Sequence, residues 1–306
     1  MSGRLASAPV SWGVWERTVG REDLLPRDRL LEAVASLGYR AIELGPPGYL
    51  GRDGASVQEA LKPFGLELVG AFVPLHLADE TAFRTDLEGL ERTIEIAGHG
   101  APSAVVLLAD AGTPERARAA GRPGELRRTA LAGSGLERAI DRLSRAAELC
   151  RERGLVAALH PEIGSHVEAP SEVEAFLGRT EPELLGLCLD TGHTLVGGGD
   201  PVQLARDWAE RLSHVHLKDV SEELLARLRA GELEVETAWA QGLFCPFGEG
   251  EVDLDGFLSL PEVAEYPGRL VLEQDRVAVR ADDLAAVKAI EERNLSFVRG
   301  LLGGAT

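Results

Sequence analysis

Short apolar runs alternate with longer segments of helical period along nearly the whole chain. Runs at 5–12, 41–45, 66–75, 104–108, 155–159, 184–189, 212–217 and 269–273 read as eight strands, mostly apolar and rich in Val, Leu, Ile and Ala. Continuous runs of this kind mark strands buried on both faces, as in a parallel sheet. Between them, 26–37, 56–64, 82–97, 136–153, 171–177, 201–211 and 282–301 carry apolar residues at helical spacing. Gly38 stops the first helix, and the Gly98-His99-Gly100 turn caps the third. Asp200 followed by Pro201 is an N-cap with proline at the first helical position. The stretch 111–125, rich in Gly, Pro, Arg and Ala, has no period and reads as a loop.

Eight strands alternating with helices, with no segment of linker composition, predict a single (β/α)₈ TIM barrel of the α/β class over residues 1–306. A doubly wound sheet would need a glycine-rich phosphate turn after its first strand, and Gly13-Val14-Trp15 is not one. The irregularity is a long insert between strands 7 and 8, from 220 to 267. It holds a helical piece at 222–230 and then Phe244-Cys245-Pro246-Phe247-Gly248-Glu249-Gly250.

Composition narrows the partners. The chain has 50 acidic against 32 basic residues and a formal charge of −18, which leaves little from which to build a face for nucleic acid or an anionic membrane. No apolar run is long enough to span a bilayer, and the N-terminal residues show no signal-peptide core. The three cysteines (Cys150, Cys188, Cys245) are widely spaced and form no ligand pair, so a reducing, cytoplasmic setting is expected.

Candidate chemistry gathers at the strand ends, where a barrel of this kind keeps its active site. Leu187-Cys188-Leu189-Asp190-Thr191-Gly192-His193 and Ser213-His214-Val215-His216-Leu217-Lys218-Asp219 each break from apolar into polar residues. Other strand ends bring Trp12, Glu43, His76, Asp110, His160 with Glu162, and Glu273 with Asp275. Asp190, His216, Glu273 and one residue of strand five suit a divalent cation such as Mn²⁺, Co²⁺, Fe²⁺ or Zn²⁺, with Mg²⁺ also in range, and leave positions open for substrate oxygens. No thiolate has the spacing of a structural zinc site. Strand alternation places His214 one layer deeper than His216, where a hydrogen-bonded core role is expected.

The stretches Leu189-Asp190-Thr191-Gly192-His193, Gly198-Gly199-Asp200-Pro201, His214 to Asp219, Phe247 to Gly250 and Leu272 to Asp275 resemble the xylose-isomerase-like, sugar-phosphate isomerase/epimerase superfamily. Within it the chain is most similar to inosose (2-keto-myo-inositol) dehydratases, through Ala71 to His76, His160 to Ser165 and the long insert. The resemblance implies one cation, usually Mn²⁺ or Co²⁺, held by His160, Asp190, His216 and Glu273. It also implies a small polyol or sugar substrate and a homodimer or homotetramer. The epimerases of the superfamily have a Glu as their strand-five ligand. Here register puts His160 in that place, with Glu162 two residues on, which favours elimination. At strand one, Trp12-Gly13-Val14-Trp15-Glu16 replaces the Asn-Asp-Asp stretch that typically follows the Trp in the dehydratases.

These readings give an expected function: a metal-dependent lyase that dehydrates a cyclic polyol ketone such as scyllo-inosose through an enediolate. A ketose or keto-polyol epimerase or isomerase on the same site is the alternative, and a non-catalytic binding protein stands behind both. Glu273 or Glu162 is the expected base, and His193 or Lys218 the group that steadies the oxyanion or protonates the leaving hydroxyl. Trp12, Glu43, His76, His193 and Lys218 are the expected substrate contacts, with Trp12 packing a ring face.

Overall fold

The computed structural model describes residues 4–99, 101 and 104–304, so Gly100 of the capping turn and the first three residues lie outside the described residues. Ten strands form among the described residues: β1 (Leu5–Ser7), β2 (Ala41–Glu43), β3 (Glu67–Leu75), β4 (Val105–Asp110), β5 (Val156–Leu159), β6 (Gly186–Asp190), β7 (Leu212–Leu217), β8 (Asp219–Val220), β9 (Phe244–Cys245) and β10 (Leu270–Leu272). Eight of them close a parallel barrel in the order β1-β10-β7-β6-β5-β4-β3-β2, and β8 and β9 pair antiparallel beside it. Closure removes both sheet edges, and helices between the strands cover the outside.

Strand alternation sorts the side chains into two populations. Val106, Leu108, Leu187, Leu189, Val215, Leu217, Leu270 and Leu272 join the large apolar cluster shared with the helices. Their neighbours point into the barrel. Low in the barrel these are Ala6, Ala41, Val69 and Val271, and Val105, Leu107, Ala158 and Cys188. Higher up, the same inward positions become Glu43, Asp190 and His216, with His214 one layer below. Asp190 pairs in register with His216, and Cys188 with His214. The strands are therefore an apolar plug capped by a polar layer.

Three expectations are corrected. The first strand stops at Ser7, and Pro9–Trp12 turns as a 3₁₀ helix with proline in its first turn. Gly13 closes that turn at φ 70°, with Val279 N only 2.2 Å from where a β-carbon would sit, so only glycine fits. The stretch 111–125 is not a plain loop, because Pro114–Ala119 and Pro123–Thr129 are short helices started by prolines. Fully buried Arg116 ties them down, donating to the Ser165 and Leu126 carbonyls and pairing with Glu172. The long helix expected at 201–211 ends as Pro201–Asp207, followed by a separate 3₁₀ turn at Ala209–Arg211.

The insert folds around one carboxylate. Asp219 is buried and accepts the backbone N–H groups of Gly248, Gly250 and Val252, besides that of Val220. A β-carbon on Gly250 would lie 2.3 Å from Asp219 Oδ1. Phe247-Gly248-Glu249-Gly250 is thus a nest for an aspartate, and it brings the helix Val235–Ala240 and Phe244 over the barrel mouth. Among the described residues no helix is long and apolar enough to cross a membrane. Replacing Asp219 with Ala strands buried N–H donors and is expected to destabilise the fold by at least about 3 kcal/mol. Urea unfolding and amide exchange at Gly248 and Gly250 measure this; unchanged protection there would contradict the nest.

Candidate active site

Asp190 ends β6 and also caps the helix Thr191–Val196, its Oδ1 accepting the His193 N–H at 2.8 Å. That cap fixes the carboxylate and turns His193 over the cavity one helical turn later. Asp190 Oδ2 faces inward and meets Lys218 Nζ at 2.8 Å. Lys218 Nζ also lies 2.6 Å from Glu273 Oε2 and 3.3 Å from Asp275 Oδ1. Burial works against its charge, but the Asp190, Asp275 and Glu273 carboxylates outweigh it and hold the ammonium well above its ordinary pKa.

His216 Nδ1 stands 3.1 Å from Glu273 Oε2 and 3.5 Å from Asp190 Oδ2, while its Nε2 is 2.8 Å from Glu43 Oε1. His160 Nε2 is 3.7 Å from Asp190 Oδ2, and its Nδ1 is 3.4 Å from Glu162 Oε2. The Nδ1 atoms of both rings are buried without a hydrogen-bond partner. Asp190, His216 and Glu273 each offer a donor atom, all within 4.8 Å of one another. Two carboxylate oxygens and an unpartnered imidazole nitrogen in one buried spot fit a divalent cation by donor chemistry. Cys188, one inward step below Asp190, lies within the same span of His160 and His216, although burial pushes its thiol up to about 11.

His193 Nδ1 accepts the Ile163 N–H at 3.1 Å, so the ring proton is on Nε2, which faces Asp190 and Asp275 at 3.9 Å. Burial keeps this ring neutral, well below its usual pKa. Asp275 is pushed up to about 7 by burial, with Lys218 pulling down and Glu273 pushing up. Glu162, at the rim and 3.4 Å from His193, is also raised, by burial and by the Asp275, Asp190 and Glu273 charges against the pull of Lys218. Excess negative charge is relieved here by carboxyls that keep their protons.

These groups line a cavity of about 380 Å³ whose walls include Phe72, Trp15 and Trp239. It opens into an outer cavity of about 890 Å³ bordered by Arg17, His76, Arg118 and Glu236. Glu43, His160, Glu162, His193, His216, Lys218 and Glu273 all reach the inner cavity, with Asp190 directly behind Lys218. Trp12 does not reach it: it is fully buried in the large apolar cluster, donating to Ser7 Oγ, because the 3₁₀ turn swings it off the strand. His76 sits half-exposed at the outer cavity, bound to Asp86. Asp110 serves the loops, accepting the Leu77, Gly112 and His166 amides. The aromatic faces come instead from Trp15 and Trp239, 4.6 Å apart between centroids and tilted by 54°. Both stand outside the strands, in the β1 loop and the insert, where no periodic signal marks them.

A family profile described as xylose isomerase-like TIM barrel matches residues 31–293. An inosose dehydratase of Geobacillus kaustophilus is 30% identical over 304 residues, covering 98% of this chain and 96% of that one. The rhizopine catabolism protein MocC of Rhizobium meliloti is 30% identical over 99% of this chain and 90% of its own. Among solved structures, the probable 3-DHS dehydratase AsbF of Bacillus anthracis superposes with a TM-score of 0.69 at 17% identity, covering 96% of this chain and 98% of that one. The IOLI protein with a bound zinc atom gives 0.68 at 15% identity, covering 97% and 99%. At those identities the two structures speak for the fold alone.

The loop after β5, which carries Glu162 and Ile163 into the cavity, is pinned by Glu168, whose two oxygens accept the Gly121 and Gly164 N–H groups at 2.7 Å. Burial raises Glu168 to about 7 despite those two amides. Its folded pKa lies above the unfolded value, so its contribution to stability is full below about 4.5 and is lost as pH rises through about 7. Wild type is therefore expected to lose on the order of 3 kcal/mol relative to Glu168→Gln between those limits. Urea midpoints of the two proteins at pH 5 and pH 8 check this, and parallel pH profiles would refute it.

Proposed function

The chain belongs to the xylose isomerase-like TIM barrel family, and within it we propose a metal-dependent lyase that dehydrates a cyclic polyol ketone such as scyllo-inosose. The second reading is epimerisation or isomerisation of a ketose or keto-polyol at the same site. Both are enzymes of one type, since each begins by removing a proton from the carbon next to a carbonyl. The observation that favours dehydration is His193, a neutral imidazole whose Nε2–H points into the cavity across from the carboxylates. A leaving hydroxyl needs such a donor, whereas epimerisation needs two opposed carriers of one proton. His160 at the end of β5 tilts the balance the same way.

In this reading Asp190, His216, Glu273 and His160 hold one divalent cation, Mn²⁺ or Co²⁺ by family resemblance. Bound there, the cation supplies Lewis-acid stabilisation of negative charge on the substrate's carbonyl oxygen. Glu273 or Glu162 takes the proton, Lys218 adds a fixed positive charge beside it, and His193 Nε2–H hydrogen-bonds the departing hydroxyl, which leaves as water with the proton the carboxylate took up. Trp15 and Trp239 take the ring-face role first expected of Trp12. Asp275, pushed up to about 7, and Glu162, raised by burial and the neighbouring carboxylates, keep the cavity from carrying its full negative charge. We also take residues 1–306 as one domain, working as a homodimer or homotetramer. A reducing, cytoplasmic compartment suits three cysteines that are all free and buried.

Chelation is expected to abolish turnover of scyllo-inosose, and Mn²⁺ or Co²⁺ to restore it, with the diketone product followed by its absorbance. His193→Ala should cost roughly 10²–10⁴-fold in kcat, less than removing the metal. Glu273→Gln with metal retained should be inactive if Glu273 is the base; unchanged turnover would sink that assignment. An isomeric product formed without loss of water would establish the second reading in place of the first.

A further inference from the structure

Glu43 reaches the inner cavity, and one of its carboxylate oxygens is engaged by two histidines. Oε1 lies 2.7 Å from His214 Nε2 and 2.8 Å from His216 Nε2, and all three side chains are buried. An ionised carboxylate only accepts, so each ring presents Nε2–H to it. With its proton on Nε2, His216 leaves Nδ1 as the atom facing Asp190 and Glu273. The opposite tautomer would set an imidazole lone pair against the carboxylate at hydrogen-bond distance.

The fold is shaped to permit this contact. The β2–β3 register shifts between Ile42 and Glu43, so Glu43 comes opposite Gly70. A β-carbon on Gly70 would lie 2.6 Å from Glu43 Oε1 and 3.1 Å from its carboxyl carbon. Gly70 is thus the space into which the Glu43 carboxylate folds. His214, one layer below His216, supplies the second N–H and keeps the carboxylate from rotating away.

We infer that Glu43 is a positioning residue: it fixes His216 in the orientation and tautomer that aim Nδ1 at the cation position, with His214 and Gly70 holding it there. This deepens the proposed function and rests on the reading of Asp190, His216 and Glu273 as a cation site. A carboxylate behind a ligating imidazole both sets the ring and raises its basicity, and losing such a partner typically costs roughly 10–100-fold in metal affinity.

The test uses the full chain and Zn²⁺, which is diamagnetic. In wild type, ¹⁵N-histidine NMR should show slowly exchanging Nε2–H protons on His214 and His216, with and without Zn²⁺, and Zn²⁺ attached to His216 Nδ1. Glu43→Ala should lose the exchange protection and bind Zn²⁺ roughly 10–100-fold more weakly in calorimetric competition, while remaining folded by circular dichroism. Glu43→Gln keeps an acceptor oxygen and should recover part of the affinity, which a merely space-filling role would not predict. Should Glu43→Ala fail to fold, Gly70→Ala displaces the same carboxylate without removing it, and the same two losses are expected. Protected Nε2–H signals that survive Glu43→Ala or Gly70→Ala, or Zn²⁺ affinity within twofold of wild type, overturn the role of Glu43. Zn²⁺ that does not bind saturably to wild type, or binding unaffected by Asp190→Asn, overturns the cation reading. The metal-free Nε2–H signals then still decide whether Glu43 orders the two rings.

Discussion

The site depends on one electrostatic problem: a single buried ammonium stands among more carboxylates than it can neutralise. Lys218 meets Asp190, Glu273 and Asp275 within 3.3 Å, and Glu162 lies close by. Charges removed from water cost several kcal/mol each unless neighbours compensate. Two compensations are visible. Lys218 remains charged, and Asp275 and Glu162 shift upward so that protons relieve the repulsion. A polar layer in this state has a place for another positive charge between Asp190, His216 and Glu273.

Carboxylates also organise what surrounds the site. Asp219 gathers the insert, Asp110 ties the loops after β3, β4 and β5, and Glu168 and Glu172 clamp the short helices after β4 to the loop after β5. Each does so by accepting backbone N–H groups that irregular chain would otherwise bury unpaired. A strongly acidic composition therefore reflects more than a solvated surface. Several of its carboxylates are internal frames for loops, and the catalytic geometry inherits their rigidity.

Legibility from sequence followed the strands. Asp190, His216, Lys218 and Glu273 were readable because each ends an apolar run, and parallel strands deliver such residues to one rim. The deeper position of His214 was readable for the same reason, since alternation places it one layer below His216. Trp15 and Trp239 were not readable, because they come from an irregular turn and an insert helix whose positions no period encodes. Trp12 misled because Pro9 ends the strand early. A proline-started 3₁₀ turn looks, by composition, like more of the same apolar run.

Hydrophobic order along the chain was thus enough to specify an eight-stranded barrel and the polar residues at its rim, because both follow from local periodicity and the burial of parallel strands. Partner choice among those residues was decided only by the closed fold. Glu43 meets His214 and His216 across the barrel, more than 170 positions away in the chain, because a register shift and a glycine on the neighbouring strand leave room for its carboxylate. Such a contact depends on closure and on excluded volume, and neither has a signature in a one-dimensional pattern.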